Sequence, residues 1–169
     1  NSMNSIASLI TIDPARAEGM VEDLSDLFRA SLSEPGLVPL SKELDLCRRF
    51  VRIEQTRIGE RLRVVWEIDP DVLDVKVPSL LLQPLIENAI YHGIQPLPEG
   101  GEVRVSAKRA GEQCRLEVSN PLLDPKTLNT KGHGLALDNI HRRLSAYFEG
   151  TIGWQTEVDH GRYLLRIQF

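Results

Sequence analysis

Cysteine is scarce in this chain of 169 residues, which contains only Cys47 and Cys114. Each lies within a periodic apolar segment, so the pattern predicts buried free thiols rather than a disulfide framework. No apolar run approaches the roughly 20 residues that a membrane-spanning helix needs, and no signal peptide is visible. An excess of positive charge is also missing, because 20 Lys and Arg face 24 Asp and Glu, for a net charge of −4. This balance argues against direct binding of nucleic acid, which usually requires a basic face.

The length and the remaining composition suit one ordinary domain, or one domain with an appended element. Hydrophobic residues make up 41% of the chain and charged residues 26%. These fractions are typical of a globular protein with a packed core.

Helical periodicity marks the first 36 residues. Asp13-Pro14 places a capping side chain before a proline at the first helical position, which predicts two helices joined by a short turn and ending near Gly36. The second helix carries an apolar stripe of Met20, Val21, Leu24, Leu27, Phe28 and Leu32. A hairpin cannot bury such a stripe by itself, so the stripe must pack on the rest of the chain or on a second copy.

From residue 41 onward the pattern predicts the order α β α β β loop α β β. Ser41 stands at a cap position before a third helix, and Pro78 is predicted to open the fourth. Strands that mostly return as hairpins, with helices between them, favour an α/β two-layer sandwich with helices on one face of a mixed sheet. The predicted strands are 62–69, 100–109, 113–120, TIGWQTEV and GRYLLRIQF; the loop is 121–134 and the last helix 135–148.

The segment LLLQPLIENAIYHGI (80–94) has two unlike sides when it is wound as a helix. One side is apolar, and the other carries Glu87, Asn88, Tyr91 and His92. A solvated helix face would account for these side chains. Such a face more often carries Lys, Glu and Arg, however, whereas Asn, Tyr and His form helices poorly and suit ligand or metal contacts.

The segment KGHGLALDNIHRRL (131–144) places Gly132 and Gly134 at the start of a helix. Glycines there allow backbone N–H groups to approach an anion, which the helix dipole favours, so a phosphate site is one interpretation. A loop end punctuated by glycine is the other, because one G-x-G pattern before a helix is weak evidence.

Together, LLLQPLIENAIYHGI and GHGLALDNIHRRL resemble the family of sensor histidine kinases with LytS-like and YehU-like members. LVPLSKELDLCRRFVRIEQTRIGERL resembles its linker and first ATPase-domain helix, so the resemblance covers nearly the whole chain. It implies a Bergerat-type (GHKL) ATPase fold over residues 37–169. Residues 1–36 would be the C-terminal part of a helical dimerisation and phosphoacceptor hairpin.

The resemblance also implies roles for individual residues. Asn88 would hold Mg²⁺ on the phosphates of ATP, which agrees with the preference of this hard cation for oxygen ligands. Glu87 would act as a catalytic base or orient a metal-bound water. The implied nucleotide-binding residues are Asn88, Tyr91, His92, Asn120, Gly132, Gly134, Leu135 and Asn139.

The chain departs from the family pattern at two places. Where the family has Asp-Asn-Gly-x-Gly, this chain reads VSNPLLDP, so Asn120 replaces the Asp that reads the adenine amino group. Its amide oxygen can still accept that hydrogen bond, but without charge. Ala136 replaces a glycine of the later motif.

Two functions follow from these observations. The first is the catalytic region of a two-component kinase that transfers phosphate from Mg-ATP to a histidine, expected a few residues before Asn1, and then to a response regulator; alone, the chain would lack its acceptor. The second is a degenerate module that binds nucleotide weakly and acts by dimerisation and response-regulator contact. The resemblance implies a homodimer, a response regulator of the LytTR DNA-binding class, and a cytoplasmic position in an inner-membrane protein anchored through upstream segments.

Overall fold

The computed structural model describes residues 2–122, 133–148 and 152–169, with side chains from residue 137 onward in the second range. Five helices and seven strands lie within these residues. In chain order they are α1 (Ser2–Ile12), α2 (Pro14–Ser31), β1 (Leu37–Pro39), α3 (Leu40–Ile58), β2 (Leu62–Ile68), β3 (Lys76–Pro78), α4 (Leu82–Gly93), β4 (Gly101–Ala110), β5 (Gln113–Pro121), α5 (His133–Tyr147), β6 (Gly153–Asp159) and β7 (Arg162–Gln168).

The sheet is mixed and five-stranded, in the order β2-β4-β5-β7-β6. β2 pairs with β4 in parallel, across the connection that contains α4, and the other three pairings are antiparallel. On β5, Cys114, Leu116, Val118 and Asn120 alternate with more exposed residues, as expected for a sheet with one covered face. The predicted two-layer α/β fold is therefore confirmed.

Helices α3 and α4 supply the other half of the main core. The largest fully buried side chains come from both layers and from the loops between them: Leu40, Leu44, Leu62, Val72, Leu81, Leu82, Ile86, Ile90, Ile94, Leu116, Leu144 and Ile167. The uncovered face of the sheet carries charges, such as the ion pair of Glu117 with Arg166 (2.5 Å between Oε1 and Nε). This charge pattern keeps the outer face in water.

Two predicted helix starts are wrong because the first N–H groups of each helix find hydrogen-bond partners in distant parts of the chain. α3 begins at Leu40, with Pro39 before it and Ser41 already inside the helix. The N–H groups of Leu40 and Ser41 donate to the carbonyls of Val75 and Leu73, so the first turn needs no side-chain cap from Ser41. Pro78 ends β3, which pairs with β1, and α4 begins four residues later at Leu82.

Helices α1 and α2 form the predicted hairpin, and Asp13 accepts a hydrogen bond from the N–H of Arg16 at the start of α2. The hairpin packs on α3, where Met20, Ile6 and Ile53 form a second small core with Leu24 and Leu27 against it. Of the two possibilities for the apolar stripe, packing on the rest of the chain is confirmed for Met20. Phe28 and Leu32 do stay exposed, at 64% and 71% of their accessible surface. Among the described residues, no helix has the length and apolar character that a membrane span requires.

Candidate functional site

Helix α4 has the two predicted sides. Leu82, Leu85, Ile86, Ala89 and Ile90 are buried against the sheet and α3. Glu87 and Tyr91 are exposed, whereas Asn88 and His92 are half-buried at the boundary between the core and the surface. The polar side chains therefore stand at the edge of the core, where a ligand can reach them.

A narrow cavity lies beside α4 and brings two predicted site residues together. Its wall combines side chains of α4, β5, α5 and β7, namely Leu85, Asn88, Ala89, Val118, Asn120, Leu137, Tyr163 and Leu165. Asn88 and Asn120, which are 32 positions apart in sequence, thus face one space. The remaining wall is mostly apolar, and the enclosed space, about 10 Å³, is the size of a single water molecule rather than of a nucleotide.

Asn120 is fixed in this cavity and only 4% exposed. One N–H of its Nδ2 donates to the carbonyl of Pro121 at 2.8 Å, which fixes the orientation of the amide and leaves Oδ1 able to accept a hydrogen bond. Gly93 permits this packing, because a Cβ at that position would lie 2.4 Å from Asn120 Nδ2 and 2.6 Å from its Cβ. The C-terminal end of α4 therefore approaches β5 closely only with glycine at position 93.

Asn88 contributes an unsatisfied polar group. Its Nδ2 is buried and has no hydrogen-bond partner among the described residues. Buried amide groups in native proteins are nearly always paired, so an orphaned one beside a cavity marks a place for a water molecule or a ligand. Rotation of the Asn88 amide by about 180° exchanges the positions of its nitrogen and oxygen atoms. Turned the other way, the amide presents the oxygen that a Mg²⁺ ion prefers.

The donor set suits a metal ion carried by a nucleotide. The described residues contain no group of three or more His, Cys, Asp or Glu side chains that could hold a metal ion without help. Mg²⁺ commonly binds through one or two protein oxygens together with substrate phosphates. Asn88 at the cavity edge therefore fits Mg²⁺ on a bound nucleotide, and does not fit a cation held by protein alone.

The charges near Asn88 are perturbed. Partial burial raises the pKa of Glu87, and the carboxylate of Glu54 raises it further. Glu54 is itself paired with Arg57. Burial lowers the pKa of His92, whose ring lies edge-to-face with Tyr91 at 4.9 Å between centroids. Glu87 does not line the cavity, but an accessible carboxyl with a raised pKa is a candidate for proton transfer.

The other predicted residues are placed less fully. Asn139 is exposed on α5 and does not line the cavity. Gly134 and Leu135 lie in the first turn of α5, where the structure describes the backbone alone, and Gly132 lies outside the described residues. Their roles stay predictions.

Sequence reasoning did not assign the apolar side chains of the wall to a site, namely Leu85, Ala89, Val118, Leu137, Tyr163 and Leu165. The alternation of β7 does place Tyr163, Leu165 and Ile167 on one face. Nothing local in the sequence pairs β7 with β5, however, so nothing indicates that this face completes a cavity beside α4.

Solved structures define the class of protein to which this fold corresponds. The catalytic domain of the histidine kinase ThkA matches with a TM-score of 0.60 and 18% identity, covering 80% of this chain and 97% of that one. The blue-light activated histidine kinase EL346 of Erythrobacter litoralis matches with a TM-score of 0.56 and 18% identity, covering 99% of this chain and 55% of that one. The fold is therefore that of histidine-kinase catalytic regions.

Sequence relatives make the relationship specific. A family model described as histidine kinase matches residues 1–62. The chain is 35% identical over 161 residues to the sensor histidine kinase YpdA of Escherichia coli (strain K12), covering 89% of this chain and 28% of the relative. It is 30% identical over 159 residues to the sensor protein LytS of Oceanobacillus iheyensis, covering 85% of this chain and 27% of the relative. The chain is thus a homologue of sensor histidine kinases and spans less than a third of the length of these relatives.

Proposed function

We propose that this chain is the ATP-binding catalytic region of a two-component sensor histidine kinase. It binds Mg-ATP, and the γ-phosphoryl group passes to a histidine upstream of Asn1 and then to a response regulator. The observation that carries the proposal is the unsatisfied amide of Asn88, which faces the same cavity as the buried Asn120 within a histidine-kinase fold.

The four polar residues of α4 have separate roles in this proposal. Asn88 would hold Mg²⁺ through its amide oxygen, and the ion would neutralise charge on the phosphate oxygens. Glu87 holds or accepts the proton of the acceptor imidazole, for which its raised pKa suits it. Tyr91 and His92 flank the phosphate and ribose side, one turn further along the same face.

Asn120 reads the base. Because Nδ2 donates to the Pro121 carbonyl and so fixes the orientation of the amide, Oδ1 is the atom that accepts a hydrogen bond from the adenine amino group. The apolar wall from Val118, Leu137 and Leu165 suits the faces of a purine ring. Gly132, Gly134, Leu135 and Asn139 are assigned to the phosphate side, at the start of and along α5.

The assembly and the pathway extend the proposal. Residues 1–36 form part of the dimerisation hairpin of a homodimer, residues 37–169 form the ATP-binding domain, and upstream segments anchor the protein to the inner membrane. Within the family, the resemblance favours the alginate and fimbrial regulatory sensor AlgZ (FimS), with a response regulator of the LytTR class. Phosphotransfer from the full-length kinase to a panel of response regulators tests this assignment. A preference for a regulator without a LytTR domain would contradict it.

Calorimetric titration with ATP, with and without Mg²⁺, tests the nucleotide site. We expect measurable binding that Mg²⁺ strengthens, because Asn88 contributes only when the ion is present. No heat of binding under either condition would contradict the proposal. The degenerate module, which acts by dimerisation and regulator contact, would then replace it.

A further inference from the structure

We propose that Glu43 and Arg143 are positioning residues for the nucleotide site. They hold the segment Ser79–Leu82 between α3 and α5, so that α4 presents Glu87 and Asn88 in a fixed orientation. The inference rests on the proposed function, because it concerns how the Mg-ATP site is built.

Glu43 caps α4 from a distant part of the chain. Its side chain lies on α3 and is 3% exposed. Oε1 accepts from the N–H of Leu80 at 2.7 Å, and Oε2 accepts from the N–H groups of Leu81 and Leu82 at 2.8 and 3.1 Å. α4 has no side-chain cap of its own, since Leu81 occupies the cap position. A buried carboxylate at a helix N-terminus satisfies these donors and complements the helix dipole.

Arg143 holds the carbonyl side of the same segment. From α5, its Nη1 lies 3.4 Å from the carbonyl oxygen of Leu80, and its Nη2 donates to the carbonyl of Ser79. Leu80 has a φ of 56°, a left-handed conformation that a residue with a side chain adopts rarely. A carboxylate on one side and a guanidinium on the other hold this turn in place.

The charges of Glu43 and Arg143 are complementary. Burial raises the pKa of Glu43, while the three N–H donors and the charge of Arg143 act in the opposite direction. The charge of Arg143 offsets part of the cost of burying Glu43, across the segment that both side chains contact.

The arrangement connects two walls of the cavity. α5 contributes Leu137 to the cavity, and six residues later it contributes Arg143 to the start of α4. α4 contributes Leu85 and Asn88 to the same cavity. Loss of either charge would let the start of α4 move, and the displacement would reach Asn88 two turns along. A misplacement of about 1 Å is enough to weaken a preorganised contact strongly.

The test compares Glu43→Gln and Arg143→Met with two matched controls. Asp45→Asn alters an exposed acid on the same helix as Glu43, and Arg142→Met alters the exposed neighbour of Arg143. For each protein, the ATP dissociation constant is measured by calorimetry with and without Mg²⁺, and thermal unfolding is followed by circular dichroism. The decisive quantity is the ratio of the two dissociation constants, because a purely structural role lowers the unfolding temperature without changing that ratio.

We expect both variants to lose most of the Mg²⁺-dependent gain in affinity, by about ten-fold or more, while both controls keep it. Arg143→Lys keeps the positive charge but lacks the planar guanidinium with its several N–H donors. This variant should recover part of the Mg²⁺-dependent gain in affinity. If Glu43→Gln does not fold, Arg143→Met and Arg143→Lys decide by the same ratio. A wild-type protein with no Mg²⁺-dependent binding would overturn the proposed function itself. A wild type that shows the gain, with variants that keep it in full, would overturn this inference alone.

Discussion

Partial burial and the nearby carboxylate of Glu54 disfavour the charged form of Glu87. Its pKa is raised above the ordinary 4.5 by partial burial and by Glu54. The fold therefore binds the proton more tightly than the unfolded chain does. The stability that this carboxyl contributes is fully present below pH 4.5 and is lost as pH rises through the folded-state pKa.

Glu87→Gln should remove this loss. Relative to wild type, the free energy of unfolding of the variant should rise as pH increases from about 4.5 towards 7. Phosphotransfer should fall at the same time, because glutamine cannot accept the proton. Urea unfolding at several pH values measures the first effect. Parallel curves for the two proteins would contradict the assigned environment of Glu87.

Gly93 provides a steric prediction at the back of the cavity. Gly93→Ala places a Cβ against Asn120, so we expect a loss of about 1–3 kcal/mol in stability and weaker ATP binding. Helix propensity alone would act in the opposite direction, since alanine is favoured over glycine by about 1 kcal/mol. Gly19→Ala on α2 is the matched control, because its Cβ meets no atom within 4 Å. Urea unfolding and calorimetry measure both effects, and a stabilised Gly93→Ala protein would show that this contact is wrong.

At the scale of elements, the contact between α2 and α3 depends on one buried acid. Asp23 is 6% exposed and pairs with Arg49 at 3.2 Å and with Arg52 at 2.5 and 2.8 Å. Both arginines remain partly exposed, at 38% and 55% of their side chains. Solvent therefore screens the pairs, and their value lies mainly in satisfying the buried carboxylate.

Asp23→Asn should cost about 1–3 kcal/mol of stability, because the buried group loses charge-assisted hydrogen bonds. Asp45→Asn, which loses a single exposed pair with Arg48, should cost less than about 0.5 kcal/mol. Urea unfolding of both variants checks the difference. Equal small effects would mean that apolar packing of Met20 on Ile53 holds the hairpin without help from the ion pairs.

Periodicity predicted the elements of this fold better than it predicted their starts. The two sides of α4 follow from a 3.6-residue repeat, and the structure places Leu85 inside and Glu87 outside accordingly. The starts at Ser41 and Pro78 were wrong because their caps come from elsewhere, namely the carbonyls of Leu73 and Val75 and the carboxylate of Glu43. Partners so distant in sequence leave no local signal.

The candidate site divides in the same way. Asn88 could be predicted because its residue type is unusual on a solvated helix face and matches a family motif, and Asn120 because it occupies the position at which the family pattern has Asp. Tyr163 and Leu165 could not, because their place in the wall depends on the strand order, which single-sequence patterns do not determine.

For the whole molecule, the exposed end of α2 provides a prediction about assembly. Phe28 and Leu32 stay exposed while Met20 packs inside the chain. We therefore expect the proposed homodimer to use Phe28 and Leu32, and Phe28→Ser with Leu32→Ser should weaken it without unfolding the monomer. Light scattering across a concentration series measures the dimer. A wild type that stays monomeric at high concentration, or a double variant that dimerises equally well, would contradict this prediction.

The central claim is that the polar side of α4 binds Mg-ATP. Asn88→Ala and Ile86→Ala test it in one calorimetric and unfolding experiment, because Ile86 is fully buried on the same helix and does not line the cavity. Asn88→Ala should weaken Mg-ATP binding about ten-fold or more, since a charge-assisted contact is worth about 1.5–3 kcal/mol, and should leave stability nearly unchanged. Ile86→Ala should instead cost about 2–5 kcal/mol of stability through a cavity in the core. Unchanged Mg-ATP affinity in Asn88→Ala, while the wild type binds measurably, would contradict the claim and leave the helix face merely solvated.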